Sequence, residues 1–473
     1  MLTAFEILGS LSATGLAYLG LQSYGYGVAY WRLGDPELKR SHRDAARIRR
    51  TWGRLARYLN LVLKDDMPSF ARSLASNSQR APEAKIRVPK IRDIRSDGYG
   101  MTIDFAPLPK VGSDEFAREA KHLANYWGMV RVSVEQPEPD TIRVRAVRRD
   151  PLERKLALAR PTRVPRHLEY VPIGVDDLGQ MVPLHLAHST GVGVYGAPRW
   201  GKTSLILGVL TALAHRDDVQ IILADGKSTT GFEGDYYDIG HRCAAVIGDD
   251  IEAYNRLIKE IVRYRESRQA RIRQELRVAN FWDHGPTPAW PVLLVVVDEA
   301  HSFFRQISPV GNNADLKASN ALAAENAWLT EDAVKKCGSV GIYFIIATQK
   351  PTSDAIPTAI RANLTHGLCL GVREEAVAVA ALGESIKQYP DANPMQFMRG
   401  KYRGCASMIS EDKEGFTRFR SPFCSPELTG RVAEETKHLA GKAGLPITVG
   451  QAHLALAPET PAALLPLEGK PEN

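Results

Sequence analysis

Gly196-Ala-Pro-Arg-Trp-Gly-Lys202-Thr203 is the stretch on which the fold turns. It fills the pattern G-x-x-x-x-G-K-[ST], and its flanks are of the kind that pattern needs. Gly191-Val-Gly-Val-Tyr195 reads as a short buried strand entering the turn, and Ser204-Leu-Ile-Leu-Gly-Val-Leu-Thr-Ala-Leu213 as an apolar helix leaving it. A glycine-bearing turn between strand and helix aims successive backbone N–H groups at one point, and the helix N-terminus adds positive potential there. A phosphate is the group that suits that point. Gly196, Ala197, Pro198, Arg199, Trp200, Gly201, Lys202, Thr203 and Ser204 are therefore the predicted cradle for ATP. Lys202 is expected to reach the β- and γ-phosphates, and the Thr203 hydroxyl to hold Mg2+.

Further along, Pro291-Val-Leu-Leu-Val-Val-Val297-Asp298-Glu299-Ala300 is a continuous apolar, β-branched run ending in two carboxylates. Continuous rather than alternating hydrophobicity marks a strand covered on both faces, as in a parallel α/β sheet. Ligands bind outside the carboxyl ends of such strands, which places Asp298 and Glu299 beside a bound phosphate. Asp298 is the expected holder of the metal, and Glu299 the base that polarises the attacking water. The competing reading is a helix cap, since Asp at a strand end often caps the next helix. Val219-Gln-Ile-Ile-Leu-Ala-Asp225, Gly341-Ile-Tyr-Phe-Ile-Ile-Ala-Thr348 and His366-Gly-Leu-Cys-Leu-Gly-Val372 supply further strands of the same kind. Gln349 follows one of them, where an amide can sense the γ-phosphate or orient water.

At 473 residues the chain exceeds one ordinary core, so more than one domain is expected. A net charge of +7 favours polyanionic partners, nucleic acid or anionic lipid. The five cysteines show no C-x-x-C spacing, which argues against zinc and for a reducing compartment. Ile7 to Trp31 carries no charge and is followed by a block rich in arginine: Arg40, Arg43, Arg47, Arg49, Arg50, Arg54 and Arg57. The apolar segment reads as a weak membrane span or interfacial anchor, with the downstream chain on the cytoplasmic face; a soluble helix packed on the protein is the alternative.

Lys64 to Ile91 is polar and proline-bearing, a linker. Gly98 to Phe105, Ser113 to Trp127, Val130 to Glu135 and Thr141 to Val147 read as strand, amphipathic helix, strand and strand, a β-α-β-β module with Ser113 as N-cap. The basic helix from Asp250 to Asn280, with Lys259, Arg263, Arg265, Arg268, Arg271, Arg273 and Arg277, reads as a solvated face, with direct DNA contact the alternative. The resulting divisions are 1–63 (apolar segment and basic helical region), 64–91 (linker), 92–164 (small α+β subdomain), 165–424 (P-loop ATPase) and 425–473 (one capped helix and an Ala/Pro-rich tail).

The order of these motifs resembles the FtsK/SpoIIIE group of hexameric double-stranded DNA translocases, including the Tra proteins of conjugative elements. Asp225-Gly-Lys227 stands where that family has Asp-Pro-Lys, Ala347-Thr-Gln-Lys-Pro351 is close to its Ala-Thr-Gln-Arg-Pro, and Ile360-Arg-Ala-Asn363 to its Ile-Lys-Ala-Asn. The resemblance implies a RecA-like parallel sheet with helices on both faces, ATP hydrolysis coupled to movement of double-stranded DNA, and a homo-oligomeric ring, a hexamer, at the membrane. Two departures stand out. Trp200 occupies a position where the family commonly has a small residue, and the family's basic residue after Ala-Asn falls on Gly367. Arg361 and Arg373 are the candidates for the cation that acts across a subunit boundary. No C-terminal winged helix is recognisable, and a compact motor suits the transfer protein of a mobile element. A chromosome-segregation pump and a secretion-system ATPase moving protein are the alternatives. Between Arg305 and Asn320 the chain reads as a flexible loop starting near the site, with Arg305 and Lys317 as candidate contacts to DNA phosphates.

Overall fold

Ala45, Ile48, Trp52, Leu55 and Ala56 recur every three or four residues through the arginine-rich block, the spacing of one helix face. In the computed structural model they form the buried face of helix α1 (Pro36–Tyr58), whose N-cap Asp35 accepts from Glu37 N. The structure describes residues 34–65, 85–161, 168–309, 312–410 and 414–441, so Ile7–Trp31 and the Ala/Pro-rich tail lie outside the described residues. Among the described residues no helix is long and apolar enough to cross a membrane. The chain divides into two compact units, Met1–Pro151 and Leu152–Asn473.

In the first unit α1 lies on an antiparallel sheet of order β1-β2-β4-β3, formed by β1 (Ile91–Ser96), β2 (Gly100–Phe105), β3 (Arg131–Glu138) and β4 (Thr141–Val147). Trp52 joins the two: its ring sits 4.6 Å from that of Phe105 and 5.7 Å from that of Phe116, and its indole N–H donates to Pro89 O at 2.7 Å. The module is thus β-β-α-α-β-β rather than β-α-β-β. Strand β1 is edge-placed and half charged, so its sequence carries little apolar signal. The expected helix from Ser113 to Trp127 is two, α2 (Ser113–Arg118) and α3 (Ala120–Trp127), and the capping contact is made by Glu115, whose carboxylate accepts from Gly112 N at 2.9 Å. Leu63–Asp65, at the start of the expected linker 64–91, and Lys85–Arg87, inside it, pair as a short antiparallel ladder.

The second unit is built on a ten-stranded sheet. Its strands in chain order are β5 (Tyr170–Asp176), β6 (Met181–His185), β7 (Gly191–Tyr195), β8 (Val219–Asp225), β9 (Ala245–Ile247), β10 (Val292–Asp298), β11 (Ile342–Thr348), β12 (His366–Leu370), β13 (Cys405–Ile409) and β14 (Phe416–Arg420). Their order across the sheet is β9-β8-β10-β11-β7-β12-β13-β14-β5-β6. The pairs from β9 to β12 are all parallel, whereas those from β12 to β6 are antiparallel. Every residue of β7, β8, β10 and β11 is buried, because successive side chains enter two different cores. Leu294 and Val296 point to one face with α4 (Lys202–Leu213). Leu293, Val295 and Val297 point to the other, with α5 (Ile251–Glu275) and α6 (Ala314–Cys337). Cores on both faces are what the uninterrupted apolar runs required.

The basic helix α5 departs from its expected solvated role. Arg263 and Arg271 are exposed, but Arg265 and Arg268 are buried. Arg265 pairs with Asp332 of α6 at 2.9 Å. Arg268 donates to the carbonyls of Val340 (2.6 Å) and Pro291, and lies among the rings of Tyr264, Phe281 and Trp290. A single guanidinium thereby ties the chain leading into β10 to the chain leading into β11. Replacing it with Met strands buried carbonyls, each costing about 1–3 kcal/mol. Arg268→Met should therefore lower the thermal unfolding midpoint by at least about 5 °C; an unchanged midpoint would show that these carbonyls do not depend on it.

Candidate nucleotide site

The turn between β7 and α4 carries positive φ angles. Gly201 adopts φ +104° at the helix N-cap, and Arg199 takes φ +65°, an uncommon conformation for a residue with a side chain. Gly196 packs so closely on β12 that a Cβ there would stand 2.9 Å from Leu370 Cβ. Trp200, the bulky departure, packs against the Gly371 backbone: a Cβ at Gly371 would meet its ring at 3.2 Å. The Arg403 guanidinium lies 6.0 Å over the same ring, and Gly404 N donates to Trp200 O at 3.1 Å. Its indole thus wedges the turn against the segments after β12 and before β13.

Lys202, Asp298, Glu299 and Gln349 converge. Lys202 Nζ lies 2.7 Å from Glu299 Oε1 and 2.9 Å from Asp298 Oδ1, and Gln349 Nε2 donates to the same Oε1 at 2.9 Å. Three strand ends make this possible: β7 leads to Lys202, β10 ends at Asp298 and β11 ends just before Gln349. Burial alone would raise the Glu299 carboxyl; the His301 ring and the Lys202 ammonium outweigh it and hold the group at about 2. Lys202, at hydrogen-bond distance, is the firmer of these two partners. His301 Nδ1 is 3.5 Å from Glu299 Oε2, and among the described residues that buried oxygen has no hydrogen-bond partner. Glu299 is thus an ionised carboxylate with one oxygen held and one free to accept. Its backbone is also strained, at φ +48°.

Asp298 is fixed on every side. Its Oδ1 accepts from Glu299 N at 2.9 Å, and its Oδ2 from the hydroxyl of the fully buried Tyr236 at 2.8 Å. Burial and Asp298 together raise the Tyr236 hydroxyl well above its ordinary value, so it stays a donor. Nothing in the sequence pattern singled Tyr236 out, because a tyrosine in a short turn after β8 carries no motif. Gly226, where the resembled family has proline, donates its N–H to Asp298 O at 3.0 Å, a bond that proline cannot make.

Lys202, Glu299 and Gln349 border a cavity of about 970 Å3. Its wall holds the Ala197–Thr203 turn, Ser204, Glu299 and Gln349 on one side and Leu156, Arg403, Arg420 and Phe423 on others. Leu156 and Phe423 carry no motif; Phe423 N donates to Leu156 O at 2.7 Å and Leu158 N to Phe423 O at 2.9 Å, around an isolated bridge between Ala157 and Phe423. They come from segments between recognisable elements.

The remaining sequence candidates lie elsewhere. Arg361 is committed to its own chain, donating to Ala380 O (2.6 Å), Ile356 O (3.2 Å) and Thr358 Oγ1 (3.1 Å). Arg373 is exposed just beyond β12. At Gly367 a Cβ would stand 2.7 Å from Ala381 O, so no basic side chain fits there without moving the helix Glu375–Leu382. Arg305 and Lys317 are both exposed, but the expected loop is shorter than its sequence reading: α6 begins at Ala314, and Lys317 lies in its first turns.

Asp225, level with Asp298 in the sheet, is pushed up to about 6 by burial, with the Lys227 N–H opposing and the Asp298 charge adding. Its folded-state value lies above the ordinary one, so its contribution to stability is fully present below about pH 4 and is lost as pH rises through about 6. Asp225→Asn keeps the oxygen that accepts from Lys227 N and should flatten the fall in unfolding midpoint across that window. A variant that tracks the native protein at every pH would contradict the assignment.

No protein-family model matches the chain. Curated relatives do: it is 26% identical over 255 residues to the DNA translocase FtsK of Mycobacterium tuberculosis, covering 52% of this chain and 29% of that protein. It is 24% identical over 219 residues to the DNA translocase SpoIIIE of Bacillus subtilis, covering 43% and 26%. The matches thus span less than a third of those relatives' length. Among solved structures, the pCW3 conjugation coupling protein TcpA is similar at 14% identity and TM-score 0.46, over 74% of this chain and 94% of that one. With its nucleotide-binding turn, paired carboxylates and parallel strands in this order, the chain has the fold of a P-loop ATPase and is similar in sequence to DNA translocases of the FtsK/SpoIIIE type.

Proposed function

We propose that the chain hydrolyses ATP to move double-stranded DNA. The observation that carries the ATPase reading is the convergence of Lys202, Glu299 and Gln349 on one wall of a nucleotide-sized cavity, with Asp298 bonded to Lys202 behind it. The similarity to FtsK and SpoIIIE supports DNA as the cargo. Lys202 serves the β- and γ-phosphates. Arrival of a triphosphate offers its ammonium a stronger anion than Glu299, which leaves that carboxylate to take a proton from the attacking water, with Gln349 orienting it. The donors suit Mg2+: Thr203 lies on the cavity wall, and Asp298, whose oxygens are already bonded, suits a holder acting through water. Bound there, the ion would neutralise charge on the phosphates.

The finer reading is movement of plasmid or integrative-element DNA between cells during conjugation, from the cytoplasmic face of the membrane. It rests on likeness to the Tra proteins. A chromosome-segregation pump or a protein-moving secretion ATPase are the alternatives, and turnover measured with duplex DNA against protein substrates separates the last of these. Arg305 and Lys317, exposed on either side of residues 310–311, are the proposed contacts to DNA phosphates. Arg373 is the better placed of the two candidate cations to serve a neighbouring subunit, since Arg361 is occupied.

Lys202→Ala should abolish ATP turnover. Glu299→Gln should retain ATP while slowing hydrolysis by roughly 100-fold or more, because only the base is removed. Radiolabelled ATP retention and phosphate release measure the two effects, and normal hydrolysis by the Glu299 variant would remove it from the role of base. An interface supplying a cation in trans closes by rotation, so the active species should be a ring, a hexamer. Sedimentation with ATP and duplex DNA tests this, and a strictly monomeric active enzyme would exclude it.

A further inference from the structure

A second, smaller cavity of about 380 Å3 lies beside the nucleotide site, lined by His301, Arg305, Thr348, Gln349, Lys350, Thr352, Asp354 and Ala355. Two of these residues also face the proposed base. Gln349 donates to Glu299 Oε1 at 2.9 Å, and His301 Nδ1 stands 3.5 Å from Glu299 Oε2. The cavity therefore shares a wall with the catalytic carboxylate without opening onto the phosphate turn, none of whose residues lines it. Its chemistry is that of an oxyanion site. Arg305 and Lys350 are exposed cations with long, mobile stems; Lys350 pairs with Glu374 at 3.0 Å, and Asp354 is the acid in the lining. Hydroxyl and amide donors come from Thr352 and Gln349. Within the lining, two cations and an imidazole stand against one acid, Asp354, and the exposed Lys350 can leave Glu374 for a phosphate; with neutral donors between them they suit a singly or doubly charged phosphate oxyanion.

We propose that this cavity binds a phosphate group and that its filling is transmitted to Glu299 through His301 and Gln349. A phosphate drawing His301 or Gln349 toward itself changes which Glu299 oxygen is held and which is free to accept from water. Hydrolysis then depends on a group bound outside the nucleotide site. His301 and Gln349 act here as positioning residues for the base, and Arg305 and Lys350 as the phosphate contacts. Two sources share the chemistry: a backbone phosphate of duplex DNA and the phosphate released by hydrolysis. The first source rests on the translocase reading, whereas the cavity itself does not.

The test uses the full chain, the double variant Arg305→Ala/Lys350→Ala and the single variant His301→Ala. ATP turnover is measured with increasing duplex DNA and, separately, with increasing inorganic phosphate. DNA affinity is followed by fluorescence anisotropy across a salt series. If DNA fills the cavity, the double variant loses about fivefold or more of its DNA stimulation, read as the ratio of its own rates with and without duplex, the scale of a modest coupling between sites. The slope of log affinity against log salt also falls by about 0.9 for each DNA phosphate no longer neutralised. His301→Ala then retains the native DNA affinity and salt slope but loses the stimulation, a split that a merely structural role would not produce. If released phosphate is the source, stimulation survives in the double variant, and inhibition by added phosphate weakens about fivefold or more instead. A native protein that duplex DNA does not stimulate counts against the translocase reading, and the phosphate arm still decides the cavity. Unchanged stimulation together with unchanged phosphate inhibition in the double variant overturns the proposal.

Discussion

A buried ammonium has to be paired, and the site is organised around that requirement. Lys202 is nearly inaccessible to water, and an isolated charge in such a place would deprotonate or pull the structure apart. Asp298 and Glu299 meet it at 2.9 and 2.7 Å, and each carboxylate is in turn held by a neighbour, Asp298 by Tyr236 and Glu299 by Gln349. Burial works to neutralise Lys202, yet the two carboxylates keep its pKa raised. The strands that deliver these groups must therefore end at one level. The parallel register that places Asp225 beside Asp298, and the Arg268 clamp on the chain entering β10 and β11, serve that alignment.

Much of this was legible because it follows from short-range rules. The turn Gly196–Thr203 and the carboxylates after Val297 are recognisable from residue type and spacing, and uninterrupted apolar runs identify strands buried on both faces. What escaped depends on contacts between residues far apart in the chain. Tyr236 looks like any tyrosine in a loop until the fold brings its hydroxyl to Asp298, separated from it by 62 positions. Arg268 sits in a row of arginines whose pattern suits a solvated helix, and the carbonyls of Val340 and Pro291 with the aromatic rings of Tyr264, Phe281 and Trp290 around it make an interior place tolerable. Strand β1 was hidden because its charged residues face water from a sheet edge. The antiparallel strands β13 and β14 are short and flanked by turns, so their joining the sheet beyond β12 could not be read from periodicity.

The departures from the resembled family become intelligible in the same way. Trp200 is accommodated because Gly371 presents bare backbone to its ring, and the missing basic residue at Gly367 corresponds to a place where a helix carbonyl leaves no room for any side chain. Gly226 exchanges the stiffness of proline for a hydrogen bond to the strand that carries Asp298. Each substitution is matched by its surroundings.

The central claim is that the carboxylate held by Lys202 and Gln349 drives ATP hydrolysis coupled to duplex DNA. The most direct measurement is the steady-state rate of ATP turnover by the full chain with and without duplex DNA of unrelated sequences, at fixed salt. The account predicts turnover that rises with added duplex whatever its sequence, since phosphate contacts do not read bases. A rate indifferent to duplex DNA, or one raised by protein substrates instead, would contradict it.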